Sequence, residues 1–468
     1  MSTPVLRVGI LGASPTNQTT LLSTIHSLPK LFKLTIIYHP SNAAAKVYQD
    51  QFQIPHSTTC ASVIITHLEV DLVVNLLPFE SHEAYTIIAL EAGKHVMVEV
   101  PLSMSPNGLR RINAAKEKGT TATTQPKLFV GCARRYAPCF TDIFKKELAS
   151  LGRIHYARCR NIAGPLHTQP SLAAPTPTPT PTPTLTLLAP ESAKENSHPR
   201  VRSNGNLTRL QAEAESNGIT SIPTLPVFNT LLSEVFGSTD DLTPDRVAFC
   251  RFLGNLGCHD LSIMRESLGF PDAVANVAIT DPFYSAIFHY TDSRDKLIEG
   301  TCNYGGDDGE IVDGHPFTVM YETGMDSVPR CDSHLTVYGA TKTISVEYDF
   351  PYLASTEASE GGIVRVVVEE SESDDDKVIA ANGSENMVVN GKNGLRHRVK
   401  RTEFVSSAAE AYEREFLVMH AYLTETDVRE SGVEAKTTDD DAWMDLKLLR
   451  MIFKHYDRQC GTIRTPLG

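Results

Sequence analysis

The first 131 residues alternate short runs that are apolar on both faces with longer helix-like stretches, and few folds accept that pattern. The runs are residues 5–11, 34–38, 72–77, 95–99 and 127–131, and between them lie helix-like residues 41–52, 82–92 and 105–118. A strand that is apolar on both faces needs cover on both faces, and intervening helices supply it. The pattern therefore predicts a doubly wound parallel sheet. Local signals agree: Ser41 and Ser105-Pro106 stand where helices should begin, and Gly93 stands where one should end.

Length and charge bound the rest. A chain of 468 residues exceeds one ordinary core. Its 43 basic and 56 acidic side chains leave a formal charge of −13, which excludes nucleic acid as the main partner. No apolar run approaches the roughly 20 residues that cross a bilayer, so no membrane partner is expected. Met1 leads directly into a strand-like run without a secretory leader, and the nine cysteines include no C-x-x-C pair. These features predict a cytoplasmic protein with reduced thiols. His289, His315 and His334 lie far apart and no H-E-x-x-H occurs, so no metal is expected.

Beyond residue 131 the reading gives a helix over 141–150 and a strand over 153–160. Residues 174–184 then alternate Pro and Thr, which favours extended polyproline, and 167–222 read as a disordered insertion. From 272 onward strand runs prevail, at 273–280, 283–290, 317–321 and 334–348. The acidic residues of 369–377 read as a solvated loop, and helices are expected over 408–424 and 440–455. The expected organisation is an N-terminal Rossmann domain, 1–135, and a C-terminal α+β domain, 136–468, built on a large mixed or antiparallel sheet.

Directly after the first run comes Gly9-Ile10-Leu11-Gly12-Ala13-Ser14-Pro15-Thr16-Asn17. A dinucleotide fold places G-x-G-x-x-G here, so that the backbone turns tightly and meets pyrophosphate at a helix N-terminus. Gly12 holds the first position, whereas Ser14 and Asn17 hold the other two, and Pro15 lacks an N–H. The second run ends Tyr38-His39-Pro40-Ser41-Asn42, without the carboxylate that binds ribose hydroxyls. His39, Ser41 and Asn42 can donate to a 2′-phosphate, which leans toward NADP over NAD.

Taken together, residues 5–12, 89–96, Glu99-x-Pro101, 129–138, 257–266, 321–324 and 436–441 resemble the Gfo/Idh/MocA oxidoreductases, in a divergent, fungal-type form. The resemblance implies a nicotinamide cofactor held by Gly9, Gly12, Ala13, Ser14, His39, Ser41, Asn75, Pro78, His82, Glu99, Pro101 and Arg135. It implies chemistry at His259, with Asp260 orienting its ring, and a contribution from Tyr136. It also implies a homodimer and a small hydroxylated or carbonyl substrate.

Two departures bear on chemistry. The family's Glu-Lys-Pro reads Glu99-Val100-Pro101, and its Asp-x-x-x-His reads Asn255 to His259. Losing a general acid or base typically costs about 100- to 10,000-fold in rate. The first reading is therefore an NAD(P)-dependent oxidoreductase with a depleted catalytic set. The alternatives are a non-redox isomerase, dehydratase or cyclase, and a non-catalytic ligand-sensing regulator on the same scaffold.

Overall fold

The computed structural model describes residues 4–13, 18–121, 125–164, 228–236, 243–292, 315–326, 328, 331–349, 362–372, 386–387, 398–425 and 435–463. Ser14, the insertion over 167–222 and acidic residues 373–377 lie outside the described residues.

The N-terminal half is a six-stranded, all-parallel sheet. Its strands are β1 (Leu6–Leu11), β2 (Phe32–Tyr38), β3 (His56–Thr58), β4 (Leu72–Asn75), β5 (His95–Glu99) and β6 (Leu128–Gly131), in the order β3-β2-β1-β4-β5-β6. The crossovers are helices α1 (Gln18–Ser27), α2 (Asn42–Gln51), α3 (Ala61–Thr66), α4 (Phe79–Glu91) and α5 (Pro106–Gly119). The two expected helix starts are real. Ser41 accepts from the Ala44 N–H at 3.4 Å, and Ser105 accepts from Gly108 at 2.9 Å. Gly93 follows α4 with φ 73°. Helices α1 and α3 and strand β3 have no counterpart in the sequence reading.

A short α6 (Lys145–Ala149) leads into the second half, preceded by one π-turn over Cys139–Phe144 where a single helix over 141–150 was expected. Three helices follow among the described residues: α7 (Phe228–Phe236), α8 (Pro244–Phe252) and α9 (Cys258–Leu268). The second sheet uses β7 (Tyr156–Ala163), β8 (Ala273–Thr280), β9 (Phe283–Asp292), β10 (His315–Met325), β11 (Cys331–Tyr338), β12 (Lys342–Tyr348), β13 (Ile363–Glu372), β14 (Asn386–Met387) and β15 (Arg398–Ser407). Its order is β14-β15-β13-β12-β11-β7-β10-β9-β8, and only the β7–β10 pair is parallel among the described pairings. The mixed sheet is as expected.

Two boundaries are corrected. Residues 334–348 form not one strand but two, because the chain reverses at Gly339, whose N–H bonds Lys342 O at 2.8 Å. Glu369 to Glu372 are not loop but the end of β13, where β15 supplies Arg401 to Glu369 at 3.3 Å. Opposite charges facing across a ladder let an acidic run stay in a strand.

The final helices, α10 (Ala408–Thr424) and α11 (Asp439–Ile463), return to the first sheet. Phe416 meets Phe32 at 5.8 Å between centroids, His420 Nε2 donates to Pro4 O at 2.8 Å, and Asp439 pairs with Lys116 at 2.9 Å. The Phe32 and Pro4 contacts hold α10 at the N-terminal ends of β2 and β1, whereas Leu446 of α11 packs beside Val100 just after β5, bordering the cleft at the C-terminal ends of the strands, where doubly wound sheets bind ligands.

Candidate functional site

One end of the cleft is built by the end of β1. Gly12 has φ +85°, and its N–H bonds Tyr38 O at 3.1 Å. A Cβ there would lie 3.0 Å from Leu77 and 3.3 Å from the Leu76 carbonyl, so the turn requires glycine. Ala13 is buried beside it. Gly9 is a correction: it lies inside β1, and a Cβ would meet Ile64 at 2.6 Å, so its role is close packing on α3. At the end of β2, His39 Nδ1 lies 3.0 Å from the Ser41 N–H and 3.2 Å from Ser41 O, which folds the ring back over the start of α2.

Three residues expected at the nicotinamide ribose instead brace the loops around it. Asn75 is fully buried, donates to His82 O at 3.2 Å and accepts from Leu77 N at 3.3 Å. Pro78 caps α4. The His82 ring lies 2.9 Å from Pro101 O and 2.7 Å from Leu77 O, tying the turn after β4 to the turn after β5. Burial lowers its pKa even though both carbonyl partners favour a protonated ring. Val100 precedes Pro101 through a cis bond, and it packs with Cys258 and Leu446 rather than presenting a polar group to the cleft.

The polar part of the cleft lies where α9 meets β7. His259 is enclosed by its neighbours yet keeps part of its surface open to solvent. Burial, and then the nearby charge of Arg134 and His82, push it down to about 3, so it is a neutral imidazole. Asp260 does not orient that ring, which corrects the expectation. Its carboxylate is claimed by Arg134 at 2.8 Å and by Asn161 Nδ2 at 2.8 Å, because its side chain leaves the helix toward the sheet. Burial pushes Asp260 up to about 6 despite both partners. Arg134 also lies over the Tyr348 ring at 5.1 Å. Asn161, Thr323 and Ser333 stand side by side across β7, β10 and β11 and give this end of the sheet a polar floor.

Arg135 and Tyr136 are further corrections. Arg135 is buried, bonds Glu266 and Asp441, and donates to Ser262 at 3.1 Å. Lys436 also reaches Glu266, at 2.5 Å, and Arg265 pairs with Asp441 and Asp445, each at 2.6 Å. Burial opposes the Glu266 charge, but Arg135 and Lys436 hold its carboxyl down to about 2. This network joins α9 to the start of α11 and leaves Arg135 no freedom for a cofactor. The Tyr136 ring is fully buried and its hydroxyl is bonded to Thr437 Oγ1 at 2.8 Å, so it is core.

Sequence reading missed Glu415. This buried residue of α10 accepts from the Cys132 N–H at 2.5 Å and approaches Gly131, the register partner of Glu99. Neither Glu99 nor Glu415 has an ion pair among the described residues. Burial pushes Glu99 up to about 7 and Glu415 up to about 8. The pair sits at the end of β5 as a weakly acidic patch. No group of three or more His, Cys, Asp or Glu able to hold a metal occurs among the described residues. Among them also, no helix is long and apolar enough to cross a membrane.

A parallel sheet with a glycine-requiring turn after β1, followed by a large mixed sheet, is the architecture of a Rossmann-type dinucleotide fold with a second sheet. Residues 6–125 match the GFO_IDH_MocA family, described as an oxidoreductase family with an NAD-binding Rossmann fold. Over this domain the chain is similar to the Gfo/Idh/MocA oxidoreductases. Its fold is similar to that of KijD10, a 3-ketoreductase from Actinomadura kijaniata solved with NADP and TDP-benzene. That likeness has a TM-score of 0.56 at 14% identity and covers 96% of this chain and 98% of the other. A levoglucosan dehydrogenase solved with NADH and levoglucosan gives 0.55 at 13% identity, covering 97% and 98%. No curated protein sequence matches the chain.

Proposed function

We propose that this protein is an NAD(P)-dependent oxidoreductase acting on a small hydroxylated or carbonyl substrate, with His259 as its proton-transfer group. The observation that carries the reading is a partly accessible imidazole at the cleft, next to a buried cation and without a hydrogen bond among the described residues. Gly12, Ala13, His39 and Ser41 would hold the dinucleotide, and the absence of a carboxylate at the end of β2, with His39 and Ser41 in its place, favours NADP. When bound, the nicotinamide supplies hydride exchange with a substrate carbon.

The His259 ring is unprotonated at neutral pH and so has a nitrogen free to take a hydroxyl proton during substrate oxidation, although a value of about 3 makes it a weak base. It suits the reverse step less well, because it has no imidazolium proton to give. Arg134 would offer positive charge to a developing alkoxide. Asn161 and Thr323 offer hydrogen bonds for further hydroxyls.

The test is binding and turnover measured separately. Purified protein should bind NADPH, read by nicotinamide fluorescence, and oxidise a polyol or sugar in a panel screen. His259→Asn should keep the binding and lose about 100- to 10,000-fold in turnover. Absence of NADPH and NADH binding refutes the reading. The second reading, non-redox turnover in the same cleft, is favoured by Val100, and turnover that persists without any nicotinamide would establish it.

A further inference from the structure

The outer face of α11 carries a pocket that the dinucleotide reading leaves unused. Its volume is about 390 Å³ and its apolar lining includes Trp443, Leu446 and Met451. Small-molecule sites typically occupy about 300–1,000 Å³. Lys447, Arg450 and Lys454 complete the lining, and Pro106 at the start of α5 closes one side.

The pattern along the helix is unusual for a solvent face. Residues 443, 447, 450, 451 and 454 recur at helical spacing and so form one stripe, with the buried Leu448, Leu449, Ile452 and Phe453 set on the core side. Trp443 is 40% exposed and is the only tryptophan in the chain. Four of the five carboxylates of this helix are engaged elsewhere, and the fifth, Asp440, is exposed in the first turn, about two turns or more before Lys447, Arg450 and Lys454. Asp439 pairs with Lys116, Asp441 and Asp445 with Arg265, and Asp457 with Arg246 at 2.8 Å. Among the described residues Arg450 and Lys454 have no ion pair. A row of three cations spanning about 10 Å of helix thus stands beside an exposed indole, on a chain whose formal charge is −13.

We propose that this pocket binds a small phosphate-bearing aromatic anion of the mononucleotide class. Trp443 stacks on the ring, and Arg450 and Lys454 hold the phosphate. An arginine fork matches phosphate oxygens in pairs, a lysine adds a point charge, and an indole face accepts any flat ring. The concave shape and modest volume suit a small molecule rather than a protein segment. The pocket shares no lining residue with Gly12, His39, Arg134 or His259, so it is a second site and does not depend on the cofactor assignment.

Trp443 makes the test direct, because tryptophan fluorescence has one source. Uridine monophosphate is titrated in the presence of saturating NADP, with uridine and inorganic phosphate as parallel arms. The expected result is saturable quenching by uridine monophosphate and at least tenfold weaker responses to the two fragments. The double variant R450E/K454E, whose changes lie on the solvent side, should weaken binding at least tenfold while NADPH fluorescence binding stays unchanged. The proposal is overturned if uridine monophosphate leaves the fluorescence unmoved. It is overturned equally if the double variant binds as tightly as the parent, or if NADP abolishes a response seen without it. Loss of NADPH binding by the parent protein refutes the cofactor reading and leaves this test standing.

Discussion

Arg134→Met should be among the most costly single substitutions in this chain. The guanidinium and the Asp260 carboxylate are 1% and 4% exposed by residue and lie 2.8 Å apart. Methionine removes the cation and leaves Asp260 with only the Asn161 amide as a described side-chain donor. Breaking a buried ion pair from one side costs about 3–5 kcal/mol, whereas an exposed pair is worth about 0–1 kcal/mol. The loss also depends on pH. In the parent, burial already raises Asp260 to about 6 against an ordinary value of 3.8, and removing Arg134 raises it further. An unpaired carboxyl that can protonate is tolerated at low pH, so the penalty should be greater at pH 8 than at pH 5. The assay is urea denaturation followed by far-UV circular dichroism at both pH values, with the R134M/D260N double variant alongside. The double variant should recover part of the stability, because no buried charge is then left alone. A single-variant loss below about 1 kcal/mol, or a double variant no more stable than R134M, would refute the reasoning. The same substitution should raise the His259 pKa, read by imidazole NMR, since Arg134 adds to burial in holding that ring neutral.

Two further outcomes follow from the site. Gly12→Ala places a Cβ on a residue at φ +85°, which costs about 1–2 kcal/mol and presses on Leu77. NADPH affinity should fall about tenfold or more by fluorescence titration, and unchanged affinity would remove Gly12 from the cofactor turn. Glu415 has a folded pKa near 8 against an ordinary value of 4.5. The folded state therefore holds a proton that the unfolded chain releases, and stability falls as pH rises from about 4.5 through 8. Glu415→Gln should flatten that slope by up to about 1.4 kcal/mol per pH unit, and an unchanged slope in denaturation midpoints counts against a protonated Glu415.

Much of the scaffold was legible because its causes are local. Ser41 and Ser105 cap helices with their own side chains, and β1, β4 and β5 are apolar on both faces because helices cover both. The second sheet was legible as strands but not as a topology. Its one parallel pairing among the described residues sets Tyr156 against Thr318, and no local signal spans that separation. The single run over 334–348 hid a hairpin, since a reversal at one glycine leaves the apolar alternation intact on either side.

The site divides the same way. Sequence alone determined the kind of cleft, from Gly12 after an apolar strand and from the motif around His259. Tertiary structure decided what each polar residue does there. Arg134 and Arg135 are chemically identical neighbours, yet one reaches Asp260 in the cleft and the other is spent on Glu266 and Asp441. Asp260 turns from His259 toward the sheet, and Glu415 arrives beside Glu99 from a helix near the end of the chain. A side chain's partner and its desolvation depend on what the fold brings within a few ångströms, and those two quantities set its charge. Local patterning encodes which face of an element is buried but not which distant group will share that burial.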